Sequence, residues 1–532
     1  MATVTAPRRT LPNFEVRVPA WIARLPMWVT ISAIVLGCAA VSGFIRTRYI
    51  GGGAGQFWMD EALTVGISSH SLASIPHVLR HDGSPPLFYL LLHAWMSAVG
   101  SSEAGTHALS LLFGMLTIPV GAWAAWTLAG RWAAVIAAAL FAMNPFITSY
   151  SQETRMYTLM VLLGLLATTG FIHGFIYRRR RYLILFSVSE ALMLYTHAWG
   201  LFFGVAAAVA LIPVWRNSSE PRALLRDAAL AFGAAAVLYI PWIPTLLYQA
   251  SHTGSPWDTA PNFGAPIQIS RNLMGGDRAT VSLVLAASIG LATYFTRSKW
   301  RSREAQAMWV MIILPIATLG CGWLISRLSP AWQYRYFAPI LPALLLLAAV
   351  GVSRAKGVGL IALVLTVVFW ANPASSGVPK YKSDVRDISG ELGPMLHPRD
   401  LVIVGQPEQV PLAWYYLPAG LRFADTTGLS HDPQSMNWVD ALQRLQASDP
   451  AATLGRLLAS LRPGQQVLYV RPLTEGANSW EAPWTELVRR RSAQWGALLA
   501  GDPSLKPIAW APHNYRQACC VADSAILYQK IS

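Results

Sequence analysis

The feature that most constrains this chain is its succession of long apolar runs. They follow one another from Met27 to Ala371, and nearly all the charged side chains of this stretch lie between them. Of 532 residues, 54% are hydrophobic and 13% charged, where an ordinary soluble chain carries about 45–50% apolar and about 25% charged residues. That excludes an ordinary cytosolic enzyme. A membrane-crossing helix needs about 20 mostly apolar residues. Runs near that length lie at 27–45, 107–129, 132–150, 157–176, 182–198, 200–215, 228–249, 280–296, 305–326, 337–352 and 357–371, which predicts a polytopic α-helical membrane protein with about eleven transmembrane helices. The shorter segment Pro86 to Val99 contains His93, Trp95 and Ser97 and suits a helix lying in the interface better than one crossing it.

Charge sets the orientation. The formal net charge is +15, which in a soluble chain would suggest a nucleic-acid partner, but its distribution excludes that: residues 1–372 hold 26 basic and 12 acidic side chains, and the last 160 hold 15 and 14. Basic charge beside apolar runs is a topology signal. Arg8, Arg9, Arg17 and Arg24 make residues 1–26 a cytoplasmic tail; the competing signal-peptide reading sits poorly with so long a basic region and so many later spans. If 86–99 does not cross, Arg131, Arg178 to Arg181, Arg216, Arg222, Arg226, the stretch Arg297 to Arg303, Arg354 and Lys356 join the tail, with eighteen basic residues inside and eight outside. A crossing there would turn the four-arginine run outward. The expectation is a multi-pass plasma-membrane protein with a transmembrane unit at 27–371, a long first outer loop at 46–106, a linker at Asn372 to Lys382, and an extracytoplasmic α/β domain at 381–532. In the last, Leu401 to Val404, Val467 to Val470 and Ala525 to Tyr528 read as strands, and 436–447, 451–461 and 481–500 carry helical periodicity. Cys38 and Cys321 fall in spans and Cys519 and Cys520 are adjacent, so no disulfide framework or zinc site is assigned.

Four polar clusters share the outer face under this topology. FWMDEALTVG at 57–66 places Asp60 and Glu61 near the bilayer surface, where a carboxylate could act as a general base or as half of a divalent-metal site; a solvated helix start is the plainer alternative. Asp82 and His81 follow in RHDGSPPLFYLLLHAW at 80–95, SYSQETRMY at 149–157 brings Gln152, Glu153, Arg155 and Tyr157, YTHAWG at 195–200 brings His197, and WQYRYFAPILP at 332–342 brings Tyr334 and Arg335. Arginines hold phosphate oxygens bidentately and aromatic rings pack on sugar faces, so the set suits a substrate with a sugar, a phosphate and a lipid tail. Arg155 and Arg335 could alternatively snorkel to headgroups. Glu190, the one acidic residue inside a span, is expected to be functional or paired. GGGAG at 51–55 lacks the Gly-Lys-Ser/Thr ending of a phosphate loop, and the histidines near the first loop fit no fixed metal-ligand spacing.

The segments FWMDEA at 57–62, GSPPLFYLLLHAW at 83–95, Pro145 to Tyr157, YTHAWG at 195–200 and RYFAPILP at 335–342 together resemble the GT-C superfamily of integral-membrane glycosyltransferases, in the branch related to protein O-mannosyltransferases and lipid A aminoarabinose transferases. The resemblance covers roughly residues 27–352. It implies a polyprenyl monophosphate sugar donor, used on the outer face with inversion at the anomeric carbon. It further implies that Asp60 is the first-loop base with Glu61 beside it, that Arg155 and Tyr157 belong to a second outer-loop motif, and that Arg335 lies near the donor phosphate. His107 stands where relatives often carry Arg. The expected activity is transfer of a mannose-like hexose to a protein, glycolipid or polysaccharide hydroxyl, with an arabinofuranosyl donor as the nearest alternative. A flippase for lipid-linked sugars is the rival of another class, although alternating access expects a midplane site.

Overall fold

The computed structural model describes residues 27–47, 55–295, 301–371, 382–474, 481–512 and 522–532. The N-terminal tail, most of the GGGAG run, Arg297 and Lys299, nearly all of the linker, and Cys519 with Cys520 lie outside the described residues.

Every apolar run named above is helical. Among the described residues five helices are long and apolar enough to cross a membrane: Glu103–Ala129, Tyr157–Ile176, Pro221–His252, Arg303–Leu328 and Tyr334–Arg354. The helices at most other runs are shorter, among them Arg131–Met143, Gly200–Arg216 and Lys356–Ala371. The run at 132–150 shows why. Asn144 interrupts it and accepts the Ile147 N–H at 3.2 Å, capping a second, separate helix, Pro145–Tyr150, with proline in its first turn. Leu87–Val99 is a helix of 13 residues, the same length as Arg131–Met143.

Tyr157–Ile176 is the axis of the helical part, 94% buried, whereas Pro221–His252 is 22% buried and turns Leu230, Val237 and Leu247 outward. Such a row of large apolar side chains needs an apolar medium beside it. Helices Asp277–Leu291 and Leu341–Arg354 cross at glycine: a Cβ on Gly290 would lie 1.8 Å from the Gly351 carbonyl oxygen, so only a residue without a side chain permits the approach.

Two regions complete the fold. The first loop is itself structured, as Met59–Ser68, Ile75–Asp82 and Leu87–Val99. Residues 401–530 form a six-stranded sheet of order β3-β2-β1-β4-β6-β5, with β1 Leu401–Val404, β2 Arg422–Asp425, β3 Gly428–Leu429, β4 Gln466–Pro472, β5 Leu505–Ala511 and β6 Asp523–Lys530. β1 pairs in parallel with β2 and β4, and the remaining pairings are antiparallel. All four residues of β1 are buried, the mark of a strand covered on both faces. Leu401, Ile403, Val467 and Tyr469 pack with Trp495 and Leu499 of the helix Pro483–Gly501. Val402, Val404, Leu468 and Val470, on the other face, join the same apolar core as Phe57 and Tyr157, so sheet and helical part share a continuous interior.

Candidate functional site

Met59–Ser68 starts from an extended Trp58, so Asp60 and Glu61 both fall in the first turn, where carboxylates complement the helix dipole. Consecutive helical residues point about 100° apart, and the two carboxylates go separate ways. Glu61 is fully buried. Its Oε1 accepts from His107 Nε2 at 2.6 Å and from the Thr154 N–H at 2.8 Å, and its Oε2 from Lys382 Nζ at 2.9 Å and the Trp58 N–H at 3.3 Å. Burial pushes this carboxyl up, but Lys382 and His107 outweigh it and hold it at about 2. Glu61, coupled with Asp60 in the sequence reading, is thus placed as an anchor, its lone pairs spent on the protein. His107 takes up the position where an arginine was expected and supplies one of those donors.

Asp60 stays partly open. Its Oδ2 lies 3.5 Å from Arg335 Nη2 and 3.9 Å from Arg155 Nη2. Arg155 is braced through Nη1, which donates to Thr64 Oγ1 at 2.8 Å and the Asp60 carbonyl at 3.3 Å. Arg335 sits over the rings of Trp58 and Tyr336, 5.4 and 5.8 Å from their centroids. The Nε of each arginine is buried with no partner among the described residues, as is the Tyr157 hydroxyl. The Tyr157 ring lies 5.8 Å from the Arg155 guanidinium. His197 lies between Tyr336, at 4.7 Å, and Tyr157, at 6.3 Å, tilted to both rings; its Nδ1 accepts the Trp199 N–H at 3.2 Å, which leaves the proton on Nε2. Tyr150 donates to the Tyr334 hydroxyl at 2.9 Å. Asp60, Arg155, Arg335, Tyr157, His197 and Tyr334 are therefore brought together from four distant parts of the chain.

Two further carboxyls border them. Asp82 is buried beside Ser84, and burial raises it to about 6 against the pull of Ser84 and Arg155. Glu153 is buried and raised to about 7, because desolvation, with Glu61 and Asp60 nearby, outweighs Lys382 and Arg335; its Oε2 has no partner. Gln152 and His81 do not join the group. Gln152 returns its amide to the Thr148 carbonyl at 3.0 Å and lends its own carbonyl to Lys382 at 2.8 Å. His81 bonds the His77 carbonyl at 3.0 Å and faces Tyr248. Thr64, Lys382, Trp58 and Tyr336 were missed in the sequence, and only the clustering of aromatics beside Asp60 and Arg335 signals the last two. Glu190 is buried with Oε2 unpartnered among the described residues, its Oε1 lying 2.6 Å from where a Cβ on Gly204 would be. Among the described residues no three His, Cys, Asp or Glu side chains converge to hold a metal ion, and Asp60 and Glu61 already answer to protein cations. That donor set does not fit a resident divalent cation.

Fold and site together define a helical membrane-type protein with a carboxylate held between two guanidiniums at one end of its helices. Solved structures similar to it in fold are GT-C glycosyltransferases. ArnT from Cupriavidus metallidurans, an aminoarabinose transferase of lipid A, superposes in its apo state with a TM-score of 0.61 at 14% identity, covering 93% of this chain and 98% of that one. The Archaeoglobus fulgidus oligosaccharyltransferase gives 0.55 at 11% identity over 92% of this chain and 72% of its own. The mycobacterial arabinofuranosyltransferase AftD gives 0.50 at 16% identity over 98% of this chain and 40% of its own. No family model and no curated protein matches the chain in sequence.

Proposed function

We propose that the protein is an inverting glycosyltransferase that moves a sugar from a polyprenyl monophosphate to an acceptor hydroxyl at the outer membrane surface. The observation that carries this is the Asp60 carboxylate beside Arg335 and Arg155, each arginine keeping a buried Nε donor without a partner. In the reaction the acceptor oxygen attacks the anomeric carbon, and the new C–O bond forms as the bond from that carbon to the phosphate oxygen breaks. Asp60 takes the acceptor proton, and the bond electrons leave with the polyprenyl phosphate. The unpartnered Nε–H groups are placed to meet charge that grows on the phosphate in the transition state, and the Nε2–H of His197 adds a neutral donor. No step needs a metal.

A second ArnT structure, bound to undecaprenyl phosphate and superposing at 0.59 with 14% identity, supports a lipid monophosphate as the leaving group. We favour a hexose donor, with an arabinofuranosyl donor as the second reading because AftD shares the fold. The polar groups gather at one end of the helices, which favours transfer over transport. The test is purified protein in lipid with a panel of labelled polyprenyl-phosphate sugars and a cell-envelope extract. Asp60→Asn should cut transfer by about 10²- to 10⁴-fold while donor binding persists; undiminished transfer would remove Asp60 as base, and substrate movement without glycosidic product would replace the enzyme with a transporter.

A further inference from the structure

β1 has parallel neighbours on both sides, β2 and β4, and the chain runs on from β1 to β2 on one side of the β1–β4 pair and from β4 to β5 on the other. The loop after such a strand is the switch point at which open α/β sheets bind ligands. Here that loop, 405–409, lies on the helix of Asp60. Gln406 Nε2 is 3.7 Å from Met59 Sδ, the helix Val410–Tyr416 packs on Met59–Ser68, and the Phe57 N–H donates to the Tyr416 hydroxyl at 2.8 Å. At the centre of the loop is Glu408, 6% exposed. Its Oε1 accepts from Gln406 Nε2 at 2.9 Å and Trp484 Nε1 at 3.0 Å, and its Oε2 is buried with no partner. Gln406 Nε2 thus links this carboxyl to Met59, the chain neighbour of Asp60. A buried carboxyl oxygen without a donor is costly, and a ligand that supplies one removes the cost. Trp484, which fixes the carboxyl, also walls a polar cleft of about 380 Å³ between the first-loop helix Ile75–Asp82 and the β2–β3 edge, lined by His77, His81, Asp425, Asp432 and Arg444. That volume is within the range of small-ligand sites.

We propose that Glu408 is the acceptor-binding carboxyl of the site, taking one hydroxyl of a glycan-type acceptor while a neighbouring hydroxyl is presented to Asp60. This rests on the transfer reaction proposed above and adds the acceptor class to it. Adjacent ring hydroxyls offer two O–H donors at a fixed short spacing, which two nearby carboxylates can share; a Ser or Thr side chain offers one. The cleft behind Trp484 is polar enough to house further sugar units of the same chain.

The test is a cycle between Glu408 and the second hydroxyl. Purified full-length protein in lipid is given the polyprenyl-phosphate sugar it turns over, with a methyl hexoside, its monodeoxy derivative lacking the neighbouring hydroxyl, or a Ser/Thr peptide as acceptor. Wild type should prefer the hexoside over the deoxy compound by about 10- to 100-fold in kcat/KM, the range for a hydrogen bond to a charged group. Glu408→Gln should raise the hexoside KM by a similar factor and bring the two acceptors to within about threefold of each other. Trp484→Phe, which removes the donor to Oε1 and keeps a ring, should weaken the same preference. A wild-type preference that survives intact in both variants overturns the proposal, as does transfer to the peptide with the hexoside inert. Release of polyprenyl phosphate is scored separately without acceptor; if no donor releases it, the transfer reading itself falls.

Discussion

Asp60 and Glu61 are neighbours in sequence and differ only by a methylene, and their surroundings divide the work between them. Glu61 has four donors and no exposure, and Asp60 has two long ion pairs and an open side. Removing the Glu61 charge should therefore act on stability: Glu61→Gln leaves Lys382 buried beside a neutral amide, which costs about 3–5 kcal/mol, read as a lowered midpoint of thermal unfolding in detergent. The sign of its pH dependence is fixed. Because the folded value is depressed to about 2, the contribution of Glu61 is complete above its unfolded value near 4.5 and fades as pH falls through 2. Glu153 and Asp82 behave oppositely. Their folded values are raised, to about 7 and about 6, so their neutral forms favour the fold and that contribution is lost as pH rises through this window. They also add negative charge beside Arg335 and Arg155 there. The donor kcat/KM should fall as pH goes from 6 to 8, and Glu153→Gln should flatten the upper part of that fall; an unchanged profile would separate Glu153 from the site.

At the scale of elements, the helix Met59–Ser68 is clamped on every side. Lys382 and His107 hold its start through Glu61, Arg155 grips Thr64 in its second turn, and Gly66 faces the 430–437 loop so closely that a Cβ would meet the Gln434 carbonyl oxygen at 2.0 Å. His70 at its end reaches Asp432 at 3.2 Å. Gly66→Ala must push that loop away. Alanine otherwise improves helices by about 1 kcal/mol over glycine, so a loss of activity in this variant, despite intact helicity, would report the displaced loop alone. The expected reading is a transfer rate down about 10-fold or more, in line with the steep cost of small misplacements.

The same helix shows what the sequence could and could not disclose. Its acidic pair and aromatic lead-in are visible at 57–61, and periodicity marked Leu401–Val404, the core of β4 and β6, and the helices Ala441–Ala447, Pro450–Ala459 and Pro483–Gly501, but not Val385–Leu392 or Val410–Tyr416. β2 is only four residues, and β5 contains Pro507 with a register shift beside it, so neither shows an alternating pattern. The partners of the site residues were hidden for another reason. Lys382 stands in the unremarkable stretch PKYKSDVRD, 321 residues from Glu61, and Glu408 lies in a stretch without motif; no local pattern specifies a contact at that separation, which only the packed core decides.

For the whole molecule, one helix sets both the position of the site and its sidedness. Tyr157, at the start of Tyr157–Ile176, lies under Arg155; just past the other end, Arg178 pairs with Asp227 at 2.9 Å, and Arg180 and Arg226 approach the same carboxylate at 3.9 Å. A helix of 20 residues rises about 30 Å, the thickness of a hydrocarbon core. The Asp60 group and the arginine group thus lie at opposite ends of this helix, and the outer-face reaction proposed above requires, in line with the positive-inside rule, that the arginine end be the cytoplasmic one. In a background without native cysteines, Ser448→Cys, in the C-terminal part, should react with a membrane-impermeant thiol reagent on intact cells, and Ser218→Cys, in the loop after Gly200–Arg216, only after the membrane is opened. The reverse pattern would put Asp60 in the compartment of the sugar nucleotides, where a lipid-carried donor has no advantage, and the outer-face reaction would have to be abandoned with the topology.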